Sequence, residues 1–193
     1  QYKGVLMKSR QDSTFDWNEA FRILNSILEE IRDIFPYKVI HMDQCEADDI
    51  IGTLVENSQE FGNFEPIMIV SADGDFKQLQ KFPNVRQYAP AQKKWVKITE
   101  PAHQVLMEHI ITGDKGDGIP NMFSDDDTFV TGTRQRPIKK TLLAKWKTMK
   151  PEEFVNGDGA HGYNRNSLLV DLTRTPQDIK DAIIHSYTSQ TNK

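Results

Sequence analysis

A chain of 193 residues with 37% hydrophobic content can bury one ordinary core with room for a small satellite unit. No stretch approaches the ~20 apolar residues of a membrane span, and a lone cysteine, Cys45, permits neither an internal disulfide nor a zinc cluster. With no charged-then-apolar leader at its start, the sequence reads as a protein of a reducing cytoplasm, with no membrane partner. The net charge of −4 hides a segregation: residues 41–80 hold nine acids against one lysine, Lys77, whereas residues 134–150 hold seven cations and no acid. Carboxylates can hold cations and cations can hold phosphates, so this pairing suits a metal-dependent enzyme acting on nucleic acid.

Residues 16–35 carry Trp17, Phe21, Leu24, Leu28, Ile31 and Phe35 at steps of four and three, which predicts a long amphipathic helix. Ser13 or Thr14 is its expected cap and Pro36 its stop. Residues 37–42 predict a short strand, 46–60 a second helix, and 66–71 (PIMIVS) a fully buried parallel strand. Strand, helix, strand in that order implies a right-handed crossover and an α/β fold with a parallel sheet. A short helix near 76–80 follows, then strands at 85–89 and 95–98 joined by a turn containing Pro90. Residues 101–112 predict a helix, 113–120 a turn-rich loop, 137–149 a basic helix, 150–165 a flexible connection, and 176–188 a final amphipathic helix.

Three groups of acids fall just after predicted elements. Glu46, Asp48 and Asp49 open the second helix, Asp73 and Asp75 follow the 66–71 strand, and Asp114 and Asp117 lie in GDKGDGIP. Ligands of open α/β sheets bind beyond the carboxyl ends of strands, so these acids are expected to converge on one crevice. Gathered carboxylates repel unless cations bind between them, and an all-oxygen donor set favours Mg²⁺ or Mn²⁺. Two such ions can clamp a scissile phosphodiester. Gly74 lets the chain turn so that Asp73 and Asp75 both face inward. For Asp49 a capping or pairing role is as good a reading as a ligand role. Other carboxylate chemistries fit less well: an EF-hand beginning at Asp73 would place Gln78 and Asn84 where Gly and Glu belong, and no phosphate-binding GxxxxGK[ST] loop is present. An aspartyl-phosphate phosphatase would follow its Asp-x-Asp with Thr or Val, where this chain has Phe76.

The runs EADDIIGTL (46–54), SADGDFKQLQKFPNV (71–85), KKWVKI (93–98) and GDKGDGIP (113–120) resemble the ribonuclease H family of T-even-like phages, within the flap-endonuclease superfamily. STFDW (13–17) and YNRNSLLVDL (163–172) extend the resemblance over nearly the whole chain. It implies a 5′-nuclease (PIN-like) core over 1–112, including the end of a helical arch, and a helical DNA-binding region with a helix-three-turn-helix element over 113–193. The implied metal ligands are Glu46, Asp48, Asp73, Asp75, Asp114 and Asp117, with Asp48, Asp73 and Asp117 nearest two Mg²⁺ ions that Mn²⁺ can replace. Lys8 and Arg10 match the trailing side of the arch, where they would position phosphate or stabilise developing charge. Gly116, Gly118 and Ile119 would offer backbone N–H groups to duplex phosphates, and Arg134, Arg136, Lys139 and Lys140 would add charge. The acidic SDDDTFVTGT segment is expected to turn away from the duplex.

The activity implied is 5′-to-3′ exonuclease and flap cleavage that removes RNA primers and 5′ flaps on the phage lagging strand, in the host cytoplasm. Implied partners are flapped or nicked duplex DNA, RNA–DNA hybrid, a single-stranded-DNA-binding protein and a sliding clamp. The chain also departs from the family pattern: nothing in it matches two upstream Asp-bearing strands, as in an N-terminally truncated member. Weak metal binding and little cleavage are therefore expected of these 193 residues alone. Two rivals remain, a metal-dependent ribonuclease with an RNA target and a catalytically impaired module that binds branched DNA.

Overall fold

The computed structural model describes residues 10–61 and 64–190. Helix α1 (Trp17–Ile34) is capped by Asp16, whose carboxylate accepts from Glu19 N at 3.0 Å, in place of the expected Ser13 or Thr14. Its apolar stripe forms as the periodicity predicts, yet none of its residues is buried, and Phe21 and Leu24 are about half exposed. Helix α2 (Ala47–Phe61) follows, then strand β1 (Ile67–Val70), a 3-10 helix (Asp75–Lys81), strands β2 (Val85–Ala89) and β3 (Lys94–Val96), and helix α3 (Ala102–Thr112).

The sheet is mixed rather than wholly parallel. β1 pairs parallel with β2, and β2 pairs antiparallel with β3, in the order β1-β2-β3. The 3-10 helix, not α2, makes the crossover between the parallel strands. Strand β1 is not fully buried as its composition suggested. Ile69 points into the core at 4% exposure while Met68 and Val70 stand more than half exposed on the other face. An apolar run cannot distinguish two-sided from one-sided burial, because alternation is invisible when both faces are apolar.

Residues 37–42 form no strand. Their extended backbone is satisfied by a side chain instead: Val39 N donates to Gln190 Oε1 at 2.9 Å and Gln190 Nε2 donates to Val39 O at 3.1 Å. One amide side chain thus reproduces the paired bonds that a neighbouring strand would supply.

Beyond α3 the chain is helical: α4 (Thr128–Thr131), α5 (Lys140–Trp146), α6 (Pro151–Phe154), α7 (Ala160–Val170) and α8 (Gln177–Ser189), with short 3-10 turns at Gly157–Gly159 and Leu172–Arg174. The basic helix is shorter than predicted because Lys139 is its N-cap and the chain turns at Lys147. The stretch 150–165 is structured, not a flexible connection. Pro151 opens α6, Glu153 accepts from Lys150 N, and Phe154 buries against Trp146 and Tyr163. Gly162 lets α7 lie directly on the chain at Met122, where a Cβ would stand 2.1 Å from a carbonyl oxygen.

Two cores result. One gathers Val55, Ile69, Phe76, Leu79, Val85 and Leu172 between α2, the sheet and the 3-10 helix. The other gathers Ile110, Ile111, Ile119, Met122, Phe154, Tyr163 and Val170 around α3 and α7. Buried Gln78 joins them, donating to Val170 O and accepting from Leu172 N. Among the described residues no helix is long and apolar enough to cross a membrane.

Candidate metal and nucleic-acid site

The 3-10 helix is the hub of the acidic groups, since both α2 and α3 pack against it. Asp75 is its first residue and Asp73 lies just before it. Their loop is built by two small turns: Asp73 N donates to Ser71 Oγ at 3.1 Å, and Asp75 N to Asp73 Oδ1 at 3.1 Å. Buried Gln87 of β2 holds the loop from beneath, donating to Ser71 O at 3.0 Å and Asp73 O at 2.6 Å. Asp73 itself is exposed and Asp75 half-buried.

Asp114 and Asp117 lie in the loop after α3. Gly113 adopts a φ of +68°, and a Cβ there would meet Ile119 O at 2.3 Å and Pro120 O at 2.6 Å. Only glycine fits such a turn. Asp114 Oδ1 accepts from Gly116 N at 2.6 Å and Asp117 N at 3.3 Å, while its main chain bridges to Ile119. Two residues of the YNRN run lock the loop from behind. Arg165 donates to Pro120 O, Asn121 O and Ser124 O, and buried Asn166 donates to Ile110 O at 2.8 Å and Pro120 O at 2.9 Å.

The second and third acidic groups meet at His109, in the last turn of α3. Its Nδ1 lies 3.0 Å from Asp75 Oδ1 and its Nε2 lies 3.3 Å from Asp114 Oδ2. Burial of the ring opposes its charge, but the carboxylates of Asp75 and Asp114 outweigh that and raise its pKa above the ordinary value. A cleft beside the ring is lined by Gly74, Lys77, Lys97, Glu108 and Asp114, so two lysines face the acidic wall. His109, Gln87, Arg165 and Asn166 were not singled out in the sequence. For His109 the available signal was a basic residue one turn ahead of an acidic loop.

Glu46 and Asp48 stand at the N-terminus of α2, both half-buried. Asp49 takes the capping and pairing role, accepting from Glu46 N at 3.1 Å and Thr175 Oγ1 at 2.8 Å. Cys45 beside them has its thiol pKa pushed up by burial and by Asp49 and Glu46, which disfavours the thiolate. The donor chemistry of the acidic groups fits a hard divalent cation. Every candidate ligand atom is a carboxylate oxygen, and Asp75 Oδ1 is buried and makes no hydrogen bond, although the His109 ring nitrogen lies 3.0 Å away. Among the described residues no three potential ligands are close enough together to form a ready-made cage.

Lys8 lies outside the described residues. Arg10 is exposed, with its guanidinium over the rings of Trp17 and Phe21 at 5.2 and 5.6 Å. The amides of Gly116, Gly118 and Ile119 are already donated inside their own turn, to Asp114 Oδ1, Lys115 O and Asp114 O. Arg134, Arg136, Lys139 and Lys140 are all exposed. Lys115, Asn121, Arg134 and Arg136 line one groove beside the 113–120 loop, and Arg136 also approaches Asp158 at 3.6 Å. Lys147, by contrast, is held by Glu100 and Glu108. Asp126 of the acidic SDDD run is bound by Arg165 and His161.

Residues 8–115 match the family described as 5′-3′ exonuclease, N-terminal resolvase-like domain, and residues 101–193 match T4 RNase H, C terminal. The chain belongs to the 5′-3′ exonuclease family. It is 34% identical to ribonuclease H of Enterobacteria phage T4 over 97% of its own length, and spans 63% of that relative. DNA polymerase I of Bacillus caldotenax is 29% identical over 80% of this chain and 18% of that enzyme. Among solved structures, a bacteriophage T5 protein co-crystallised with metal ions shares the α/β 5′-nuclease fold, with a TM-score of 0.64 and 19% identity over 94% of this chain and 75% of that one. A bacteriophage T5 flap endonuclease in a complex with DNA and metal ions gives a TM-score of 0.61 and 18% identity over 97% and 71% of the two chains.

Proposed function

We propose that the protein is a divalent-metal-dependent 5′-to-3′ exonuclease and flap endonuclease that acts on the 5′ ends of branched duplex DNA or RNA–DNA hybrid. The observation that carries this reading is the meeting of two acidic groups, distant in sequence, at one half-buried point beside a lysine-lined cleft. Asp73, Asp75, Asp114 and Asp117, with Asp48 and Glu46 from α2, are the proposed ligands of Mg²⁺, or of Mn²⁺ in its place. When bound, two such ions would supply an activated water and a counter-charge for the leaving oxygen. The chain's own residues hold the carboxylates in place, and Lys8 and Arg10 would steady the phosphate on the arch side.

In this reading residues 1–112 form the nuclease core and 113–193 the helical DNA-binding region with its helix-three-turn-helix element. Duplex is gripped there by the exposed cations Arg134, Arg136, Lys139 and Lys140. The amides of Gly116, Gly118 and Ile119 set the shape of the loop and would reach phosphate only by releasing their present acceptors. Removal of primers and flaps during phage replication is the proposed setting, with a single-stranded-DNA-binding protein and a sliding clamp as partners. The binding-only reading is favoured by one observation, the lack of a ready-made ligand cage among the described residues.

A cleavage assay on 5′-flap DNA separates the two. Asp75→Asn is expected to abolish Mg²⁺-dependent cutting with DNA affinity kept or improved, because an acid near phosphate repels it. Lys139→Ala with Lys140→Ala should weaken binding and flatten its salt dependence by about two phosphate contacts. An unchanged cutting rate in Asp75→Asn would remove the carboxylates from the chemistry.

A further inference from the structure

We infer that Asn121 and Gln135 are positioning residues: between them they pin the segment 133–139 beside the acid-bearing loop 113–120, so that Arg134 and Arg136 stand in a fixed place before nucleic acid arrives. The inference rests on the proposed nucleic-acid grip of this region. It adds what orders that grip, and so which contacts fail when the pin is removed.

The segment runs from Thr133 to Lys139 without helix or strand, so its polar groups depend on other partners. Asn121 N donates to Gln135 Oε1 at 2.7 Å, Asn121 Nδ2 to Arg136 O at 2.8 Å, and Arg136 N to Ser124 Oγ at 3.0 Å. Asn121 and Ser124 are themselves buried, and Asn121 Oδ1 closes the cluster by accepting from Ser124 Oγ and Phe123 N, each at 3.0 Å. Asn121 directly follows the GDKGDGIP turn, and Arg165 donates both to its carbonyl and to that of Pro120. One buried residue is thus tied to the segment through its N–H and side chain, and to the brace of the acid-bearing loop through its carbonyl.

The charges are disposed to match. Arg134 and Arg136 flank the half-buried Gln135 and are both exposed, and with Lys115 they line one groove beside the loop. Arg134 has no ion-pair partner among the described residues, and Arg136 approaches the exposed Asp158 at 3.6 Å. An arginine on an unpinned segment must give up backbone as well as side-chain freedom to hold a phosphate. Pinning removes the backbone part of that cost in advance, and it acts through these two arginines. A residue that served stability alone would lower the melting temperature and leave the arginines' share of binding intact.

The test uses the 193-residue chain and a 5′-flap DNA probe in chelator, with Kd read by fluorescence anisotropy over a range of salt. Gln135→Met keeps the length of the side chain and removes its acceptor. It is expected to raise Kd about three- to tenfold. Its salt dependence should flatten toward that of Arg134→Ala with Arg136→Ala, by about two phosphate contacts. The decisive reading is coupling: the arginine pair should cost much less in Gln135→Met than in wild type. Gln135→Glu keeps an acceptor for Asn121 N and should return the arginine pair to its full cost, although its added charge weakens binding throughout. Should Gln135→Met fail to fold, hydrogen exchange of the wild type decides: the Arg136 amide should be as protected in the free protein as in the complex. Additive effects of Gln135→Met and the arginine pair, or an Arg136 amide protected only by DNA, overturn the positioning role and leave the grip standing. A wild-type Kd indifferent to loss of the arginine pair overturns the grip and this role with it.

Discussion

The two loops that bring acids to His109 are held in different ways. The loop bearing Asp114 and Asp117 is over-determined, by a left-handed glycine at its entry, a carboxylate that binds its own turn, and Arg165 and Asn166 braced against its carbonyls. The loop bearing Asp73 and Asp75 rests on two local turns and two buried side chains, Gln87 donating to Ser71 O and Asp73 O and Gln78 donating to Asp75 O. One wall of the proposed centre is therefore braced at more points than the other, and is the more rigid of the two.

Breaking the rigid wall should cost most. Gly113→Ala forces a Cβ against Ile119 O and Pro120 O in a left-handed backbone, and should destabilise the chain by about 3 kcal/mol in urea denaturation. Asn166→Ala leaves Ile110 O unsatisfied and removes one of the donors to Pro120 O, for an expected loss of about 2 kcal/mol in the same measurement. Gln87→Ala should cost about 1 kcal/mol globally, and its sharper signature is faster hydrogen exchange confined to amides 71–75. Equal losses in Asn166→Ala and Gln87→Ala, with exchange spread evenly, would show the two walls to be alike.

The smallest effect is electrostatic. Arg165 first, and His161 second, hold the Asp126 carboxyl below its ordinary pKa of 3.8. A depressed carboxylate contributes stability that is complete above its unfolded pKa and is lost as pH falls through the lower folded value. The Tm gap between wild type and Asp126→Asn should therefore be present at neutral pH and close below about pH 3.8. Because Asp126 is about half exposed, water screens the pair and the gap corresponds to less than ~1 kcal/mol.

Much of this architecture was legible in the sequence, and the exceptions have physical causes. The periodicity of α1, the Asp-Gly turns and the 85–89 strand were readable because spacing alone determines them. Of the three acidic groups, the meeting of the second with the third was readable, since acids at the ends of neighbouring elements can face one crevice. Residues 37–42 were misread as a strand because extended backbone looks the same whether its partner is a strand or, as here, the Gln190 side chain. The 150–165 stretch was misread as flexible because its glycines suggested freedom, whereas Gly162 serves close packing. His109 was invisible for a different reason. A histidine in the last turn of a helix is ordinary as a complement to the helix dipole, and its second partner, Asp75, is distant in sequence.

The bond from Thr175 to Asp49 spans 126 positions, and that from Gln190 to Val39 spans 151. During synthesis at ~5–20 residues per second, the acidic opening of α2 is made roughly 6–25 s before Thr175 is added to bind it. Through that interval the first core also lacks Leu172, and Gln78 lacks both of its distant partners. The N-terminal half of this chain must wait on a nascent stage in which its acids and its apolar faces are open together, and its completion is timed by the arrival of the last two helices.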